Sequence, residues 1–213
     1  FNLDETLDLI HNEKPHFFPA VPAIYNAINA HPHLKNYDLT SLRYCISGGA
    51  PLPVEVKKAF EAETGCVLVE GYGLTETSPV ACANPIEGMN KSGSIGLPLP
   101  GTIIELHDAE TGELVTEVGK RGEIWIKGPQ VMKGYWNKTE ETSKVLEDGF
   151  LKTGDVATYD EDGYIFIVDR IKDLILVNGY NVYPRLIEEA IYQHPSVEEC
   201  VVAGVTDPAR GEV

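Results

Sequence analysis

Hydrophobic and polar positions change their rhythm twice along this chain. Near the start the rhythm is helical. Leu7 and Ile10 stand one turn apart behind Asp4, which predicts a helix over 4–13 with Asp4 as N-cap. His16-Phe17-Phe18 is a short apolar run ending at Pro19, and Val21–Ala30 reads as a helix that Pro22 can open. The clearest architecture lies in residues 42–76. Leu42–Ser47 reads as a strand followed by Gly48-Gly49-Ala50-Pro51. Pro53–Thr64 reads as a helix with Val54, Ala59 and Phe60 apolar and Gly65 as its stop, and Cys66–Glu70 as a second strand. Strand, helix, strand implies a right-handed parallel crossover. Both glycine-containing loops then fall just past the carboxyl ends of neighbouring strands, the ligand-binding edge of open parallel sheets.

From about Lys91 the rhythm shortens to a period of two. The runs Thr102–His107, Glu123–Lys127 and Tyr164–Val168 are separated by turns such as Pro98-Leu99-Pro100-Gly101 and Glu147-Asp148-Gly149, which predicts a small antiparallel barrel or sandwich. Beyond Asp169–Asp173 comes a third pattern. Leu174–Val177 and an Asn178-Gly179 hairpin turn lead to a helix opened by Pro184, with Leu186, Ile187, Ala190 and Ile191 on one face. Pro195 is its expected stop, and Glu199–Val205 the next strand. The expected fold class is α/β plus β: a partial parallel sheet over 1–91, an antiparallel β-barrel over 92–168, and a hinge with the start of a C-terminal α+β domain over 169–213.

Composition narrows the classes. With 43% hydrophobic and 23% charged residues the chain is an ordinary globular one. Its 33 acidic against 17 basic residues, without a basic stripe carrying aromatics, argue against a nucleic-acid partner. No run approaches the roughly 20 apolar residues of a bilayer span, and no signal-peptide pattern opens the chain. The opening Phe1-Asn2-Leu3-Asp4 lacks an initiator Met and reads as the middle of something longer. Cys45, Cys66, Cys82 and Cys200 have neither metal-like nor redox-like spacing, which points to reduced thiols in a cytoplasmic protein. His31-Pro32-His33 reads as a turn.

Candidate chemistry gathers in two stretches. In Gly71-Tyr72-Gly73-Leu74-Thr75-Glu76 the glycines allow close backbone approach, Tyr72 offers a flat face to a base, Thr75 a hydroxyl to phosphate, and Glu76 a hard oxygen to Mg²⁺. Ordinary turns use such glycines too. In 150–185, Asp155, Asp169, Arg170, Lys172 and Asp173 stand at the ends of strand-like runs, where the backbone is fixed and the side chains are expected to stay wet. A charged hairpin rim has the same pattern.

The strings themselves carry a resemblance. Gly71-Tyr72-Gly73-Leu74-Thr75-Glu76-Thr77-Ser78-Pro79, Ser47-Gly48-Gly49-Ala50-Pro51, Gly122-Glu123-Ile124-Trp125-Ile126-Lys127-Gly128-Pro129, Lys152-Thr153-Gly154-Asp155 and Asp169-Arg170-Ile171-Lys172-Asp173 resemble the adenylate-forming (AMP-binding) acyl-CoA synthetase superfamily. The nearest likeness is to long-chain fatty-acid–CoA ligases. It runs over the whole chain but matches only a middle portion of the family's usual length. The resemblance implies an acetyl-CoA synthetase-like fold, truncated. It also implies a ligase that uses ATP and coenzyme A to convert a fatty acid to acyl-CoA, AMP and pyrophosphate, with Mg²⁺.

By the same resemblance Tyr72 stacks on adenine, Thr75 meets the α-phosphate and Glu76 helps hold Mg²⁺. Gly48, Gly49, Ala50, Glu70, Gly71, Gly73 and Ile167 line the nucleotide. Asp155 accepts the ribose hydroxyls, Arg170 contacts ribose or phosphate, and Lys172 is the hinge. Residues alone allow other roles: Asp155 capping a turn, Arg170 paired with Asp169, and Phe17, Phe18, Tyr25 and Ile28 as core or as acyl-pocket wall. Trp125 and Trp136 read as packing residues. A phosphate loop before Phe1 and a lysine after Val213 are expected elsewhere, so this chain alone is expected to be inactive. A medium-chain or aryl acid ligase, a luciferase-like oxidase, a peptide-synthetase adenylation domain and a non-catalytic nucleotide-binding module remain alternatives. Peripheral contact with the inner membrane face and oligomerisation are left open.

Overall fold

The computed structural model describes residues 1–178, 180–192, 194, 196–197, 200–207 and 210–213. The chain divides into two compact units, residues 1–102 with 129–132 and residues 103–128 with 133–213. No helix among the described residues is long and apolar enough to cross a membrane.

The first unit opens with α1 (Leu3–Glu13), whose cap is Asn2 rather than Asp4. The extended backbone of Asn2 brings its Oδ1 to the Glu5 N–H at 3.4 Å. Asp4 sits inside the first turn, where its charge suits the helix N-terminus, and its carboxylate meets His31 Nε2 at 3.0 Å. Then follow β1 (Phe17–Ala20), α2 (Pro22–Asn29), β2 (Tyr44–Ser47), α3 (Val54–Thr64), β3 (Val67–Gly73), β4 (Val80–Ala83) and β5 (Leu97–Pro98). The sheet order is β1-β2-β3-β4-β5, with β1, β2 and β3 parallel as the crossover rule predicts. The strand β1 runs through Pro19, where the apolar run was expected to end. It lies at the edge of the sheet, so the N–H that proline lacks is one the ladder does not need.

Leu7, Ile10, Tyr25, Ile28, Phe60 and Leu68 form the centre of this unit's core. Tyr25 is fully buried between Phe18 (5.8 Å) and Phe60 (4.8 Å), both edge-to-face. Its hydroxyl lies 2.7 Å from the Phe18 carbonyl and 3.1 Å from that of Ile46, so one buried proton serves neighbouring strands. The aromatic segment that admitted two readings is thus largely core, apart from Phe17, which is 54% exposed.

The second unit begins with β6 (Ile103–His107), β7 (Gly122–Lys127), α4 (Thr139–Val145), β8 (Leu146–Glu147), β9 (Phe150–Tyr159) and β10 (Ile165–Arg170). These strands form an antiparallel half-barrel of order β10-β9-β7-β6, with β8 on β9. The polar α4 buries no residue and has no apolar periodicity to announce it. Trp125 packs as expected, stacked on His107 with ring centroids 3.9 Å apart. Trp136 does not: it is 89% exposed, in a surface turn where Asn137 takes φ 54°.

The remainder of the unit is β11 (Ile175–Val177), β12 (Tyr180–Val182), α5 (Pro184–Tyr192), β13 (Thr206–Asp207) and β14 (Gly211–Glu212), in sheet order β12-β11-β14-β13. Asn178, at φ 50°, enters the connection between β11 and β12 as the Asn-Gly signal predicts. Gly179 lies outside the described residues, as do Pro195, the expected helix stop, and Glu199. Residues 200–205 do not form the expected strand. Val205 is bonded to Val213 in both directions at 2.9 Å, and Val201 is 87% exposed.

Candidate active site

In the first unit the strand β3 changes partners midway. It runs parallel to β2 as far as the Ser47–Glu70 pair, where β2 ends. From Gly71 onward it pairs antiparallel with β4, Tyr72 opposite Cys82 and Gly73 opposite Val80. Gly71-Tyr72-Gly73 is therefore strand, not a loop beyond the strand as expected, because β4 supplies the hydrogen bonds that β2 no longer can. A bulge between Tyr72 and Gly73 re-aims the end of the strand.

Close approach explains two of the glycines. A β-carbon on Gly73 would stand 1.7 Å from the Pro79 carbonyl oxygen, so no other residue fits without moving the turn. A β-carbon on Gly48 would stand 3.3 Å from the Gly71 carbonyl oxygen, so the two glycine segments lie backbone against backbone. Gly49 takes φ +81° and, like Ala50, is exposed. Buried Glu70 accepts the Leu52 N–H at 3.3 Å and ties the 48–52 segment to β3, a structural bond beside the nucleotide role its resemblance implied.

Thr75 and Glu76 sit in a single 3₁₀ turn, residues 75–77. Thr77, fully buried, clamps that turn: its Oγ1 accepts from Leu74 N–H at 2.9 Å and lies 2.6 Å from the Pro79 carbonyl. The Thr75 side chain is exposed and Glu76 half-buried, with the Glu76 carbonyl accepting the Met132 N–H at 2.8 Å. No group of three or more carboxylate, His or Cys ligands occurs among the described residues. Mg²⁺ needs no such cage, since it takes one or two carboxylates and completes its shell with phosphates and water. One half-buried carboxylate beside an exposed hydroxyl fits that donor set.

The second unit holds Asp155, Ile167, Arg170 and Lys172. Here both strands are bulged. Glu123 and Trp125 of β7 pair with Val156 and Lys152 of β9, leaving Thr153, Gly154 and Asp155 opposite Ile124 alone. In β10 the register slips between Ile167 and Asp169, and Arg170 then pairs with Asp155. The Arg170 guanidinium donates from Nε to Asp155 Oδ1 at 3.0 Å. It does not turn back to Asp169, which instead accepts the backbone N–H groups of Arg170 at 2.8 Å and Arg185 at 3.2 Å. Arg185 lies in the first turn of α5, so Asp169 holds a helix start against a strand end.

The expectation that all these charges stay wet fails for Asp155 and Asp169, 3% and 7% exposed, because backbone and guanidinium donors draw them inward. Arg170 and Lys172 are exposed, Lys172 in the short turn after β10, and Ile167 is half-buried opposite Ala157. Each unit thus assembles its own share: Gly48–Ala50 with Glu70–Glu76 in the first, Asp155 with Arg170 in the second. Sequence reasoning passed over Ser47, whose buried Oγ has no hydrogen-bond partner among the described residues, and Glu123, which touches the Asp155 bulge directly. Both stand inside strings already singled out, but only strand pairing shows what they face.

A parallel α/β sheet followed in the chain by an antiparallel half-barrel defines the class, that of adenylate-forming enzymes. The chain belongs to the AMP-binding enzyme family, whose model matches residues 1–136. It is similar to the long-chain-fatty-acid–CoA ligase of Bacillus subtilis (strain 168), 56% identical over 208 residues, which covers 98% of this chain and 37% of that protein. It is 42% identical over 214 residues to a feruloyl-CoA synthase from Amycolatopsis sp, across all of this chain and 43% of that one. Among solved structures, ATP-bound MatB from Rhodopseudomonas palustris superposes with a TM-score of 0.90 at 38% identity, over 100% of this chain and 42% of that one. The chain spans about two fifths of the length of these relatives.

Proposed function

We propose that this chain is the nucleotide-handling part of an ATP-dependent acid–CoA ligase acting on a long-chain fatty acid. The carboxylate attacks the α-phosphate of ATP, forming acyl-adenylate and releasing pyrophosphate. The coenzyme A thiol then attacks the acyl carbon and AMP leaves. A carboxylate is a poor acyl donor, and adenylation gives it a good leaving group. The observation that carries the reading is the partner change of β3, which sets Gly71–Glu76 beside the Gly48 segment at the carboxyl end of a parallel sheet.

On this reading Tyr72 stacks on adenine, with Gly48, Gly49, Ala50, Glu70, Gly71, Gly73 and Ile167 lining the nucleotide. Thr75 donates to the α-phosphate. Glu76 holds Mg²⁺, which when bound neutralises phosphate charge. Asp155 accepts from the ribose hydroxyls, and Arg170 orients it while reaching ribose or phosphate with its remaining donors. Lys172 absorbs the torsional change that re-aims residues 169–213 between the two half-reactions. The protein's contribution is positioning and charge neutralisation. The long-chain-acid relative, at 56% identity, supports a fatty substrate, while the 42% identical feruloyl-CoA synthase favours an aryl acid as the second reading. Three buried, unpaired-by-disulfide cysteines support a reducing cytoplasmic setting.

The test is calorimetric titration of the intact gene product with non-hydrolysable palmitoyl-adenylate and feruloyl-adenylate mimics, alongside Asp155→Ala. Tight binding of the palmitoyl mimic, weakened in Asp155→Ala, is expected. Preference for the feruloyl mimic would establish the aryl reading, and binding unchanged by Asp155→Ala would remove the ribose role.

A further inference from the structure

We propose that Glu123 is the positioning residue for Asp155, acting by closing the bulge that takes Thr153–Asp155 out of register with β7. The inference rests on the ribose reading of Asp155 and deepens it. A bulge frees backbone groups that the ladder would otherwise pair, and those groups need new partners. Here side chains supply them. The Gly154 N–H donates to Glu123 Oε1 at 2.9 Å. Thr153 Oγ1 donates to the Ile124 carbonyl at 2.8 Å and accepts the Asp155 N–H at 3.0 Å. Gly154 takes φ +75°, a conformation open to glycine, and its amide is thereby aimed at the carboxylate.

The carboxylate is itself held. Its other oxygen, Oε2, accepts the Trp125 indole N–H at 3.0 Å. Trp125 is stacked on His107, and the Lys152 ammonium stands 4.7 Å from its ring centre. His107 Nε2 in turn lies 2.8 Å from Glu105 Oε2. Three strands therefore fix the orientation of one carboxylate, whose second bond is to the residue next to Asp155. A hydrogen bond to a charged acceptor is about twice as strong as a neutral one. Glu123 thus suits a site where a small shift of the Asp155 carboxylate would cost ligand discrimination.

The experiment compares affinities of AMP and 2′-deoxy-AMP for the intact gene product, because their ratio reads contact with the ribose 2′-hydroxyl rather than general stability. Asp155→Ala is expected to collapse the ratio. Glu123→Ala is expected to lower it about tenfold, and Glu123→Gln, which keeps one oxygen for the Gly154 N–H but sets its NH2 donor against the Trp125 N–H, to lower it less than Glu123→Ala does. A folded Glu123→Ala with a wild-type ratio, beside a collapsed ratio in Asp155→Ala, overturns the positioning role alone. An unchanged ratio in Asp155→Ala overturns the ribose reading beneath it. Should Glu123→Ala not fold, amide exchange in the wild type decides: a protected Gly154 amide is expected, and a rapidly exchanging one overturns the proposal.

Discussion

Arg170 reaches across a strand pair to Asp155, its Nε 3.0 Å from Oδ1, and joins a half-exposed cation (55% side-chain exposure) to a buried carboxylate (5%). The asymmetry determines what each mutation costs. Removing the arginine takes a charged donor from a carboxylate that water barely reaches, so Arg170→Ala is expected to destabilise the protein by about 1–2 kcal/mol. Arg170→Lys restores the charge but not the rigid fork, and should recover less than half of the loss. Urea unfolding of the two variants checks both. In an Asp155→Asn background the Arg170→Ala cost should shrink, because the two side chains couple directly.

Tyr25 gives a second prediction. Its ring fills the space between Phe18 and Phe60, and its hydroxyl bonds backbone carbonyls of β1 and β2. Tyr25→Phe keeps the packing and loses the bond, at a cost of about 1 kcal/mol. Tyr25→Ala opens a cavity as well, at about 3–5 kcal/mol. Thermal melts that fail to separate the two variants would contradict this division.

Gly73→Ala should be far worse than a methyl group suggests. The added carbon would meet a backbone oxygen 1.7 Å away in the turn that carries Thr75 and Glu76. The backbone must shift, and a loss of more than about 3 kcal/mol is expected. Gly65→Ala, with nothing within 4 Å but φ +74°, pays only conformational strain and serves as control. Calorimetric melting of both variants measures the difference.

The thiols predict an alkaline dependence. Burial pushes the Cys82 pKa from 9.0 up to about 12, and the hydrogen bond to Cys66 together with burial pushes Cys45 up as well. A raised folded pKa means that the fold prefers the neutral thiol. That contribution to stability is fully present below about pH 9 and is lost as pH rises through about 12 for Cys82. Iodoacetamide at pH 8.5 should leave Cys45 and Cys82 unmodified in the native protein and label both in urea, as mass spectrometry of the peptides would read. Cys82→Ala should move the alkaline unfolding midpoint upward.

Much of the fold was legible because its signals are local. Pro22 opens α2, Gly65 ends α3 at φ +74°, and alternating runs became β6, β7 and β10 within a residue or two. The misreadings share one cause. Asp4 rather than Asn2 was expected to cap α1, because side-chain reach depends on a backbone turn that sequence does not state. The apolar run His16-Phe17-Phe18 was expected to end at Pro19, because edge position is a property of the whole sheet. Trp136 was expected to pack, and Glu199–Val205 to form a strand, because apolar content says nothing about whether a neighbour exists.

What the sequence determined by itself was the order of elements and the identity of the chemical groups: glycines where backbones meet, a hydroxyl and carboxylates with the donors to match. These follow from residue type and spacing, which act over a few residues. The tertiary structure decided which groups face one another. Only pairing across strands made β3 leave β2 for β4, bulged β9 opposite Ile124, turned Arg170 toward Asp155 instead of its neighbour Asp169, and brought Glu123 to the Gly154 amide. Strand register depends on every hydrogen bond along two chains at once, so no short stretch of sequence contains it.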